Sequence, residues 1–275
     1  MNRPMGVATR SRPSLGRYGQ GTVATAVAVV GFALLHAAWA QPVTPPRVAP
    51  VPVWTPTANA PEGLLTPREG ERHDRFIDRA RAGDIDLVFF GTTSTEMWSW
   101  ADRGRSVWDQ RFGSREAANF GSQGTRFESL LWRMQNGELD GYEAKLVVLQ
   151  DSGTGDQAIP GNRLAEFVTG YAAVIAEIRA RQPQAKILLF AAFPRGRLQR
   201  EEWREIAEST AAAHAELVDD EIVFYVDIGE RFFRPDGSFN SEMWGMPGRA
   251  GVGIQTPAFE VWAEELQPWL DRFVR

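Results

Sequence analysis

The stretch Ile85-Asp86-Leu87-Val88-Phe89-Phe90-Gly91-Thr92-Thr93-Ser94-Thr95-Glu96-Met97-Trp98 decides the fold. A short apolar run ends in a glycine and a hydroxyl-rich turn. A run with no polar face suits a strand buried on both sides, as in a parallel sheet covered by helices. Its shortness and the glycine behind it argue for a strand rather than a helix.

The same signal recurs outward from this point. Residues 71–81 place Phe76, Ile77 and Ala80 on one side of a charged helix. A second strand is expected at 117–121, and a helix at 126–135 with Leu130, Leu131 and Met134 on a common side. Strands at 146–149, 187–191 and 222–226 alternate with an amphipathic helix through Leu164, Phe167, Tyr171, Val174 and Ile178, and with a helix over 201–218. A last helix is expected at 257–274. This rhythm predicts an α/β protein: a flavodoxin-like three-layer α/β/α sandwich around a five-stranded parallel sheet. Its ligand crevice lies at the carboxyl ends of the strands, in loops that start at Gly91, Gly121, Gln150, Phe193 and Asp227.

Residues 1–40 read as a signal peptide. Arg3, Arg10, Arg12 and Arg17 precede an apolar run that closes on Ala38-Trp39-Ala40, a small-x-small cleavage pattern. Residues 41–67 hold Pro42, Pro45, Pro46, Pro50, Pro52, Pro56, Pro61 and Pro67, the composition of an extended tether. The folded domain is then 68–275. Removing the four arginines takes the formal charge from −5 to −9. An acidic chain of this kind is unsuited to nucleic acid, and after cleavage no membrane span is expected. The absence of cysteine excludes disulfides, a thiol nucleophile and thiolate metal sites. Secretion or residence in the periplasm follows from the signal.

The crevice loops resemble a known family. Gly91-Thr92-Thr93-Ser94-Thr95-Glu96-Met97-Trp98 is similar to the Gly-Asp-Ser-Ile-Thr-Glu-x-Trp block of SGNH (GDSL-type) hydrolases. Asn119-Phe120-Gly121-Ser122-Gln123-Gly124, Leu131-Trp132-Arg133-Met134-Gln135-Asn136-Gly137-Glu138-Leu139, Phe193-Pro194-Arg195-Gly196 and Asp227-Ile228-Gly229 resemble blocks of the bacterial relatives of platelet-activating-factor acetylhydrolase catalytic subunits. Ordered matches on the expected strand ends cover residues 70–275.

That resemblance implies acyl transfer: a Ser nucleophile, a His base oriented by an Asp, and an oxyanion hole of backbone N–H groups plus an Asn amide. By position the Ser is Thr93, the oxyanion glycine is Gly124, the Asn is Thr154, the Asp is Ala250 and the His is Gly253. Only Gly124 keeps the family residue. No histidine follows His214 in the chain, so the C-terminal base has no candidate. His73 and His214 read as surface or helix-packing residues.

Thr92, Ser94, Trp98, Arg126, Asp151, Asp156 and Trp244 are the candidate crevice residues, with Trp100, Phe127 and Phe193 beside them. Rings with carboxylates and an arginine suit a polysaccharide or acylated glycan. Asp151, Asp156 and Glu96 lack a histidine or a recognisable loop spacing, so neither metal nor cofactor is expected. Two functions remain. One is an exported, inactive SGNH-fold protein that binds a glycan or a partner protein of the cell envelope. The other is an esterase or acyltransferase on acetylated sugars or lipids, with a rearranged site built on Thr93 or Ser94.

Overall fold

The computed structural model describes residues 59–150, 161–194, 199–245 and 253–274. Five parallel strands form one sheet: β1 (Leu87–Phe90), β2 (Ala117–Asn119), β3 (Leu146–Gln150), β4 (Lys186–Phe190) and β5 (Val223–Val226), in the order β2-β1-β3-β4-β5. This is the flavodoxin-like order. It sets β1 next to β3 with Leu87 opposite Leu146, and leaves β2 and β5 at the edges.

Alternate strand residues feed two separate cores. Leu87, Phe89, Leu146, Val148, Leu188, Phe190 and Phe224 point to one face. That face is covered by α3 (Arg105–Arg111), α6 (Arg200–His214) and α7 (Thr256–Phe273). Val88, Phe90, Val147, Leu149, Ile187, Leu189 and Val223 point to the other. There α1 (Pro67–Arg81), α4 (Phe127–Arg133) and α5 (Gly161–Arg181) pack. The apolar runs in the sequence are therefore two-faced strands, as their lack of polar alternation implies.

Helix α1 begins at Pro67 rather than Glu71. Thr66 is its N-cap: its hydroxyl accepts from the Glu69 amide at 3.2 Å, and Glu69 accepts from the Thr66 amide at 2.9 Å. This reciprocal box satisfies two amides that the helix start leaves free. Just before the cap, Leu64 is buried. Two further elements carry no sequence signal: α3, and a two-stranded hairpin of β6 (Trp244–Gly245) and β7 (Gly253–Ile254), with Gly245 opposite Gly253.

The Leu131–Leu139 block is a structural clip. After α4 the chain kinks, with Gly137 at φ +113°, and Glu138 returns to meet Arg133. Arg133 Nε and Nη2 donate to the two Glu138 oxygens at 2.7 and 2.8 Å, and both side chains are fully buried. The remaining donors reach the Phe120 carbonyl at 2.7 Å and Thr125 Oγ1 at 3.0 Å. His73 Nδ1 lies 2.8 Å from Glu138 and its ring packs on Trp132. The pair is thus fully hydrogen-bonded, the condition under which a buried ion pair is tolerated.

Candidate functional site

The site is built where β1 and β2 end. Gly91 follows β1, and a side chain there would put its Cβ 2.1 Å from Thr95 Oγ1. Gly121 follows β2, and its Cβ would stand 2.4 Å from the Glu96 amide nitrogen. Both loops close this tightly only with glycine. The interlock fixes α2 (Thr93–Glu96), a single turn that starts immediately after the first strand loop. Asn119 braces it, donating through Nδ2 to the Thr95 carbonyl at 2.9 Å and accepting from the Gly121 amide at 2.9 Å.

Under this turn sits Glu96, fully buried. It accepts from Arg68, from the Gln123 amide at 2.6 Å and from Trp100 Nε1 at 3.2 Å, and Arg72 lies 3.4 Å away. Burial alone would raise its carboxyl; Arg68, the Gln123 amide, Arg72 and Trp100 outweigh that and hold it below the usual carboxylate range. Arg72 also donates to the Gly121 carbonyl at 3.1 Å. Burial lowers its guanidinium from the ordinary value. Glu96 is therefore a fixed anion that ties α1, α2 and the 121–123 loop together, and none of its contacts is with a reacting group.

Thr92, Thr93 and Ser94 lie together at the start of α2, each partly exposed. Gly124 keeps the left-handed φ of +86° that favours glycine, and the Thr66 side chain lies 3.5 Å from where its Cβ would be. Gly253 comes to the same place through β7, which packs on α2. Its φ is +120°, and a Cβ there would stand 2.4 Å from Met97 Cε and 2.9 Å from Sδ. Met97, 2% exposed, fills the space a side chain at 253 would need. Thr154, Ala250, Asp151 and Asp156 lie outside the described residues.

Several expected crevice residues lie elsewhere. Trp98 is fully buried, with ring centroids 4.6 Å from Phe259 and 5.2 Å from Trp262, so it is core rather than crevice. Trp244 is 8% exposed, pairs with Ile254 through β6 and joins the same core. Phe193 stacks on Phe232, and Phe127 packs on Tyr171. A large aromatic side chain on a loop is as suited to packing as to binding, and here packing won. Arg126 is exposed, but its Nη2 donates to the Gly63 and Leu64 carbonyls at 3.3 Å, which fastens the segment before α1 to the Gly124 loop.

Sequence reasoning missed Arg68, Arg72, Met97 and Gln123. The i, i+4 spacing of the two arginines was the available signal for the first two. Among the described residues no group of His, Asp and Glu could hold a metal ion. The described histidines are both buried: His73 on Glu138, and His214 with Nδ1 2.7 Å from the Thr210 carbonyl and its ring stacked on Tyr225.

Comparison with known proteins agrees with this architecture. Residues 88–248 match the model of the GDSL-like Lipase/Acylhydrolase family. The chain is 28% identical over 171 residues to platelet-activating factor acetylhydrolase IB subunit alpha1 of Homo sapiens, covering 61% of this chain and 69% of that protein. It is 31% identical over 125 residues to the alpha2 subunit of Rattus norvegicus, covering 46% and 51% respectively. A solved structure from Streptococcus pneumonia, described as a platelet activating factor, superposes with a TM-score of 0.54 at 15% identity, over 74% of this chain and 92% of that one. That likeness concerns the fold. With its sheet order, its interlocked strand loops and a family match over more than half its length, the chain belongs to the GDSL-like lipase/acylhydrolase family.

Proposed function

We propose that this protein is an exported, catalytically inactive member of its family, whose crevice binds a glycan or a partner protein of the cell envelope. The observation that carries the inactive reading is Gly253. Gly253, the residue that the motif resemblance sets at the family's base, has no side chain, sits at φ +120° and has Met97 where a side chain would start. General-base catalysis needs a proton acceptor within hydrogen-bond reach of the nucleophile. His73 and His214 are buried in helix packing and point into other contacts. Thr93 adds a methyl group to the nucleophile position and has no base among the described residues.

The test is turnover of p-nitrophenyl acetate by the purified chain beside Thr93→Ala. The expected result is equal, background rates for both. A rate that depends on Thr93 overturns the inactive reading. The partial exposure of Thr93 and Ser94 favours a second reading, an esterase or acyltransferase with a rearranged site. It requires that Thr93→Ala or Ser94→Ala abolish a measurable rate. For the crevice ligand, a glycan array probed with the whole chain separates a carbohydrate from a protein partner.

A further inference from the structure

The sheet order leaves the outer side of β2 open, and the two helical layers stand apart there. Between them lies a recess of about 450 Å3, walled by Phe76 and Arg79 of α1 and by Arg105 and Trp108 of α3, with Ser99 at its rim and Ala117 of β2 in its floor. Its lining reaches Asn119, which braces α2, but does not include Thr92, Thr93 or Ser94.

The sequence of α1 gives the recess its charge. At about 100° per residue, Arg68, Arg72, Arg75 and Arg79 fall within an arc of about 60°. Glu69, His73, Phe76 and Ala80 form the buried row on one side of it, and Glu71, Asp74 and Asp78 an acidic row on the other. Arg68 and Arg72 are engaged by Glu96. Arg79 donates to the carbonyls of Gly83 and Asp84 and forms no ion pair among the described residues. Arg105 pairs with Asp109 at 3.0 Å, both more than half exposed, an exchangeable contact. Arg75 is exposed.

Strand addition is a poor use of this edge. β2 has three residues, and the Ala117 amide is already spent on the Arg115 carbonyl at 2.7 Å. Short edges of this kind discourage pairing. What the recess offers instead is a partly exposed indole, an exposed hydroxyl and two guanidinium groups. An aromatic face takes the C–H face of a sugar ring, and guanidinium takes a carboxylate in bidentate fashion.

We propose that the β2-edge recess binds an anionic glycan, a chain of carboxylated sugars. One ring stacks on Trp108, its carboxylates meet Arg79 and Arg105, and Arg75 extends the track along α1. The proposal does not depend on what fills the crevice.

The test is calorimetric titration of the full-length chain with a hexamer of galacturonate, beside maltohexaose as the neutral glycan and hexaglutamate as the acidic peptide. The hexagalacturonate is expected to saturate, and maltohexaose to give no heat. The double variant Arg79→Gln, Arg105→Gln should weaken binding about ten-fold, as should raising salt from about 50 to about 300 mM. Thr93→Ala should leave the affinity unchanged, which separates this site from the crevice. If the double variant loses its native circular dichroism, Arg75→Gln and Arg105→Gln singly replace it, each expected to weaken binding about three-fold. Equal binding of maltohexaose, tighter binding of hexaglutamate, no saturation with hexagalacturonate, or an affinity unmoved by the arginine variants overturns the proposal.

Discussion

Gly253→Ala adds one methyl group at β7, beside Met97, and its cost can be built from two terms. The first is backbone strain. A non-glycine residue held at φ +120° costs on the order of 1–3 kcal/mol. The second is overlap. The new Cβ would lie 2.4 Å from Met97 Cε, and overpacking of a filled core costs about 1–3 kcal/mol. A methionine terminus yields more easily than a backbone atom, so the overlap falls at the low end. The expected total is about 2–4 kcal/mol. Met97→Ala alone should cost about 2–4 kcal/mol, because the side chain is 2% exposed. The double variant removes the overlap and keeps the strain, so it should be about 1 kcal/mol less destabilised than the sum of the singles. Urea unfolding followed by tryptophan fluorescence measures all three. A Gly253→Ala protein within about 0.5 kcal/mol of the parent, or singles that simply add, would refute the claim that Met97 occupies this space. The same geometry predicts that Gly253→His yields a weakened protein and no esterase.

Glu138→Gln keeps the shape of the buried clip but leaves Arg133 charged against an amide. Removing one partner of a buried pair costs about 3–5 kcal/mol, and at about 2–4 °C per kcal/mol for a domain of this size the melting temperature should fall by about 6–20 °C. A fall under about 3 °C in calorimetry would show the pair is not a structural clip. Acid should act through Glu96. Its folded value is held below the ordinary 4.5, so its contribution is complete above that pH and drains away as pH falls below it toward the lower folded value. Urea midpoints of the parent at pH 7, 5, 4 and 3 should therefore drop more steeply than those of Glu96→Gln below about pH 4.5, and parallel curves would contradict it.

The strands were legible because burial on both faces forbids polar alternation, so Leu87–Phe90 and Lys186–Phe190 announce themselves. Motif order alone assigned Thr93, Gly124 and Gly253 to the family's chemical roles, and the structure describes their surroundings. The side-chain environments were not. Trp98 and Trp244 have the residue type of a ligand platform and the surroundings of a core, and a sequence shows only the type. The clip was visible as a string, but its purpose depends on Gly137 at φ +113° bringing Glu138 back to Arg133, a tertiary event. The start of α1 was readable and overlooked: Thr66, Pro67 and Glu69 spell a capping box inside a stretch whose prolines suggest a tether. Met97 has no pattern at all; its role comes from β7 passing close by.

The arginine row on α1 has a consequence for how this molecule moves before it touches anything. A chain of formal net charge −5 with four arginines in one row on α1 is repelled by an anionic polymer overall and attracted along that row. Productive collisions are then selected by rotation during approach. Dilute electrolyte should hasten capture far more than it lengthens residence, so the surrounding ionic strength sets how fast such a polymer is found more than how firmly it is held.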